Sequence, residues 1–67
     1  MQSTNNLRKV REAKMLSKVE LAKLAGISPL TIDRIEKGFP SRIGTRRKIL
    51  LALGLKLSQK RKLFNGN

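Results

Sequence analysis

The chain has 67 residues, no cysteine and no histidine, and its sixteen Lys and Arg against four acids give a formal net charge of +12. A length like this holds one small core, burying roughly 60% of the unfolded surface. The absent cysteines exclude disulfides and thiolate metal sites, and charges interrupt every apolar run well short of the ~20 residues a membrane span needs. With Glu12, Glu20, Asp33 and Glu36 as the only carboxylates, the stock of bases, nucleophiles and metal ligands is nearly empty. That argues against an enzyme and gives no reason to expect a cofactor, a metal or a small-molecule ligand.

Residues 1–5 are polar and expected to be flexible. A first helix is predicted over 6–14, capped by Asn5 or Asn6, with Leu7, Val10 and Met15 as its apolar stripe. Ser17-x-x-Glu20 then has the spacing of a capping box, Leu16 and Leu21 that of a hydrophobic staple, and Gly26 suits the left-handed residue that closes a helix. The same grammar restarts at once. Ser28 can cap, Pro29 takes the first helical position, Ile27 can staple to Ile32, and a third helix runs over 29–37 to stop at Gly38. The glycine and proline therefore end one helix and begin another, and a connection of about three residues forces the axes to cross steeply. A loop, GFPSRIG, is expected over 38–44. Thr45 then caps a fourth helix over 46–53, with Ile49, Leu50, Ala52 and Leu53 inward and Gly54 at its end. A short fifth helix is predicted over 59–64, capped by Ser58 and pinned by Leu57, Leu63 and Phe64, and 65–67 are expected to be flexible. The expected fold is all-α: a compact bundle of four to five short helices, one domain over 6–64, with a helix-turn-helix at 18–37.

So basic a chain favours a polyanion, either nucleic acid or an anionic membrane surface; the plain alternative is a surface that is basic only for solubility. A membrane-surface peptide would need one wide amphipathic helix in place of several short, capped ones. Two Phe and no Tyr or Trp leave little for base stacking, which favours duplex DNA over single strands or RNA.

Leu21-Ala22, Ala25-Gly26-Ile27, Ile32 and Ile35, with LRKVRE (7–12) before them and RIEKG (34–38) and ALG (52–54) after, stand in an order that resembles the Cro and lambda-repressor-type (Xre) helix-turn-helix family over roughly residues 6–57. The aliphatic positions are expected to be core, each large one worth roughly 1.5–3 kcal/mol. The resemblance implies double-stranded DNA as partner, with the third helix in the major groove and Ser28, Pro29, Leu30, Asp33, Arg34 and Lys37 facing the bases. Arg34 is either a bidentate reader of guanine or a phosphate-bound or solvated cation; Leu30 meets a thymine methyl or packs on the second helix; Asp33 accepts from cytosine or pairs with Lys37 one turn on. Phosphate contacts are implied at the starts of helices two and four, which names Ser17, Lys18, Arg42, Thr45, Arg46 and Arg47. Lys18 stands where the family usually has glutamine, and is expected to bind backbone more tightly and with less dependence on orientation. Pro29 and Leu30 replace common polar residues, so the family's base code does not carry over.

The resemblance also implies a structural ion pair between Arg11 and Glu36, and operators read by dimers. Phe39, Ile43, Leu51, Leu55 and Leu57 offer apolar area for a weak homodimer or one formed on DNA. Lys60-Arg61-Lys62 either tracks phosphates or is solvated. The leading expectation is a sequence-specific transcriptional regulator of phage or bacterial type, a repressor, cytoplasmic and at the nucleoid. The second is a protein-interaction module of the same fold, an antitoxin or bridging factor, which a strongly acidic third-helix face would favour.

Overall fold

The computed structural model describes residues 5–64, apart from the Lys62 side chain. Over them run α1 (Leu7–Ala13), α2 (Lys18–Ala25), α3 (Pro29–Glu36), α4 (Ile43–Ala52) and, after a 3-10 turn at Leu57–Gln59, the one-turn α5 (Lys60–Leu63), with no strand among the described residues. The flexible ends expected at 1–4 and 65–67 lie outside the described residues.

Asn5, placed both in the flexible end and among the caps of the first helix, is tied down as a cap would be. Its Oδ1 accepts from the Leu7 N–H (3.1 Å) and its Nδ2 donates to the Ile35 carbonyl (2.7 Å), so it serves the first turn of α1 and fastens that turn to α3. Met15 departs from expectation too. It is 89% exposed with φ 57°, and it is the left-handed residue that closes α1, with the Leu16 N–H reaching back to the Arg11 carbonyl at 3.2 Å. That backbone sends the side chain outward, so its helical spacing from Leu7 and Val10 was coincidental.

The turn between α2 and α3 follows the sequence grammar. The Glu20 N–H donates to Ser17 Oγ (3.0 Å) and the Ser17 N–H to Glu20 Oε1 (2.8 Å), completing the capping box. Gly26 closes α2 at φ 71°, the Ile27 N–H donating to the Ala22 carbonyl at 3.0 Å. Ser28 Oγ accepts from the Leu30 N–H (3.1 Å) at the head of α3, where Pro29 lacks the donor that would be orphaned anyway. Nothing lies within 4 Å of a Cβ built on Gly26, so only the backbone demands glycine there. Gly26→Ala is therefore expected to cost about 1 kcal/mol, the left-handed penalty less the gain from a stiffer unfolded chain. A urea midpoint that falls with an unchanged m-value checks this.

The later boundaries shift. Helix α4 starts at Ile43, three residues ahead of the expected 46, with extended Arg42 at its cap position and Thr45 inside the first turn. Gly44 costs the helix about 1 kcal/mol against alanine, which an added turn of backbone hydrogen bonds, about 1 kcal/mol each, offsets. Ser58 likewise falls inside the 3-10 turn and Gln59 takes the cap position of α5. Leu57 stays 46% exposed and does not pin the tail, and Ala52 is only half-buried.

At the centre each helix contributes one fully buried side chain: Leu7, Leu21, Ile32, Ile49 and Leu63. Helix α2 packs against both α3 and α4, and buried Ala22 keeps its surface low enough for close approach. The Asn6 N–H donates to the Leu63 carbonyl (2.8 Å), joining the tail to the head of α1. Arg11 and Glu36 form a buried bidentate pair, Nε to Oε2 at 2.6 Å and Nη2 to Oε1 at 3.1 Å, while Arg11 Nη1 donates to the Leu16 carbonyl at 2.9 Å. The bond to Glu36 raises the Arg11 pKa above its ordinary value. The pair locks α1 to the end of α3 and leaves neither group for a ligand.

Candidate nucleic-acid interface

Helix α3 turns Ile32, Ile35 and Glu36 inward. What remains outside follows from helical geometry: Ser28, Pro29, Leu30, Arg34 and Lys37 are exposed, and Thr31 and Asp33 are half-buried. All six residues expected to face bases therefore lie on one outer surface. Leu30 is 56% exposed, open to a ligand with the rest of its surface covered, as partial packing on α2 would also leave it. The Arg34 side chain is engaged by no other described residue. It lines a cleft of about 300 Å³ with Thr31, Ser41, Arg42 and Thr45, which joins α3 to the start of α4.

Asp33 has two partners. The expected pair with Lys37 is present, Nζ to Oδ2 at 3.0 Å, but Lys18 also reaches across from α2, Nζ to Oδ1 at 2.5 Å. These lysines, Lys18 first, hold the Asp33 carboxyl below its ordinary pKa. The bridge sets the start of α2 beside α3, so the two helix starts expected to meet phosphates flank α3's outer face.

The two starts differ chemically. At α2 the capping box consumes the Ser17 and Glu20 amides and sets a carboxylate there; the hydrogen bond from the Ser17 backbone lowers the Glu20 pKa. The amides of Lys18 and Val19 remain as the orphans of that end. At α4 no side chain caps the helix and no acid lies in its first turn. Its amides face outward among exposed Arg42 and Arg47 and half-buried Thr45, the more favourable end for an anion. Arg46, expected beside them, is fastened inward: its Nε donates to Ser41 Oγ (3.0 Å) and its guanidinium lies 5.2 Å from the Phe64 ring centroid.

Sequence reasoning missed the Lys18–Asp33 bridge, whose partners lie fifteen residues apart. The available signal was charge alone, a lysine opening one helix with an acid on the neighbouring helix. In the tail, Lys60 and Arg61 are exposed. Among the described residues no cluster of His, Cys, Asp or Glu could hold a metal, and no helix is long and apolar enough to cross a membrane.

A family model described as helix-turn-helix, of the Cro/C1 type, matches residues 7–60, from the first residue of α1 to the first of α5. No curated protein matches the chain significantly.

Proposed function

Because the chain belongs to the Cro/C1-type helix-turn-helix family, a fold of DNA-binding regulators, we propose that it reads a specific duplex DNA sequence with α3 in the major groove and represses transcription by occupying a promoter. The observation that carries this is the outer face of α3, with an unengaged Arg34, flanked on one side by the bare, cation-rich start of α4. Arg34 reads guanine O6 and N7 and Leu30 packs on a thymine methyl, with Ser28, Pro29, Asp33 and Lys37 bordering the same base edges. Phosphates seat at the α4 start on Arg42, Thr45 and Arg47, with the free edge of Arg46 behind them, and at the α2 start on Ser17 and the Lys18 amide. Such a role is carried out at the nucleoid, in the cytoplasm.

The same reading includes a weak homodimer, or one formed on the operator. Phe39, Ile43, Leu51 and Leu57 are exposed, and an apolar cleft of about 530 Å³ lies between α4 and the tail, lined by Ile43, Leu50, Leu57 and Phe64. Leu55, also expected on that surface, packs against the core and adds little to it.

Selection from a random duplex pool tests the reading. Salt must be fixed near physiological, because six to ten phosphate contacts change affinity about 10³–10⁵-fold between 50 and 200 mM. Enrichment of a two-fold symmetric site supports a dimeric operator reader, and a single half-site supports a monomer. No enrichment rejects sequence reading and leaves only the attraction of charge. On the selected site Arg34→Ala is expected to cost about 1–3 kcal/mol and to flatten preference at one base pair; an equal loss on every sequence rejects its role.

A further inference from the structure

Asp33 is the only carboxylate among the outward positions of α3, since Glu36 is buried. A negative group on a surface that meets a polyanion is a liability unless it is neutralised, and here both oxygens are taken by lysines from two different helices. The lysine side chains remain 42% and 66% exposed, so phosphate could reach either one once it was released.

We infer that Asp33 is a specificity-determining residue, a built-in counter-anion that holds Lys18 and Lys37 back from arbitrary phosphate backbone. This rests on the reading of α3 as the DNA-reading helix. Sequence-independent affinity grows with the number of cations that displace condensed counterions from the duplex, whereas discrimination comes from base edges. Restraining two lysines lowers the first and leaves Arg34 and the start of α4 to act on the second. The ratio of specific to non-specific binding therefore widens with no added base contact.

The test is binding of Asp33→Asn and wild type to a random-sequence duplex, by fluorescence anisotropy over a salt series. Each lysine released adds one phosphate contact, worth ~0.9 in the slope of log affinity against log salt and about fivefold in affinity near 0.15 M. Asp33→Asn is expected to steepen the slope by ~0.9–1.8 and to bind ~5–30-fold more tightly. Losing a negative charge also strengthens binding through the general field, so the substitution is repeated in a Lys18→Gln, Lys37→Gln background. There only the general-field part is expected to remain, with the slope nearly unchanged; a steepening as large as in the wild-type background, or an unchanged slope in the single variant, overturns the proposal. Should Asp33→Asn fail to fold, Asp33→Ser takes its place in both backgrounds, with the same expected and overturning outcomes. Wild type that binds no duplex at low salt sinks the DNA reading itself, whereas wild type that binds and is matched by Asp33→Asn sinks only the counter-anion.

Discussion

Glu36→Ala is expected to cost about 3–5 kcal/mol of folding stability, the penalty for leaving a buried charge without its partner. Arg11 is 7% exposed and makes two of its hydrogen bonds to that carboxylate. A guanidinium is not deprotonated in proteins, so Arg11 has no route to shedding the charge instead. A domain this size holds on the order of 3–10 kcal/mol in all, so the loss consumes most of the reserve. Urea denaturation checks it, and a loss below about 1 kcal/mol would mean that water reaches the pair. Replacing both partners, as in Arg11→Met with Glu36→Leu, should recover much of the stability, since apolar residues of similar volume often replace a buried pair without loss. Measuring the operator preference of that variant would separate the pair's contribution to stability from its setting of α3 against α1.

Leu63→Ala carries the second large effect, about 2–5 kcal/mol, because a fully buried leucine leaves both lost transfer energy and a cavity. Leu63 sits in a helix of only four residues, too short to stand alone in water, so its burial is what holds the tail. Its carbonyl also accepts from the Asn6 N–H, and its neighbour Phe64 lies under the Arg46 guanidinium. Loosening the tail therefore reaches the head of α1 and the start of α4 together. A midpoint shift corresponding to less than about 1 kcal/mol would show that the core closes without the tail.

The segment from Ser17 to Glu36 was legible in the sequence because its determinants are local. A capping box spans four positions, the Gly26 closure involves neighbours within about one turn, and Ser28 with Pro29 opens the next helix within two residues. The outward residues of α3 were named by the family resemblance. What escaped was either non-local or borne by an unexpected residue type. Asn5 meets Ile35 thirty residues away. Arg46 finds Ser41 and Phe64 only once α4 and the tail are in place. Met15 takes a left-handed conformation usually left to glycine, and Gly44 enters a helix it would ordinarily interrupt. At Gly44 the added turn of backbone hydrogen bonds outweighs the local preference.

The five fully buried side chains, one from each helix, bear on how the surface is presented. Ile32 belongs to α3 itself and shares the central cluster with residues from every other helix. Helix α3 is therefore anchored through packing it shares with the other helices, which a tilt would disturb. If α3 enters the groove as proposed, it arrives at a duplex already shaped. Only side chains remain to be ordered, so little of the contact energy is lost to conformational entropy.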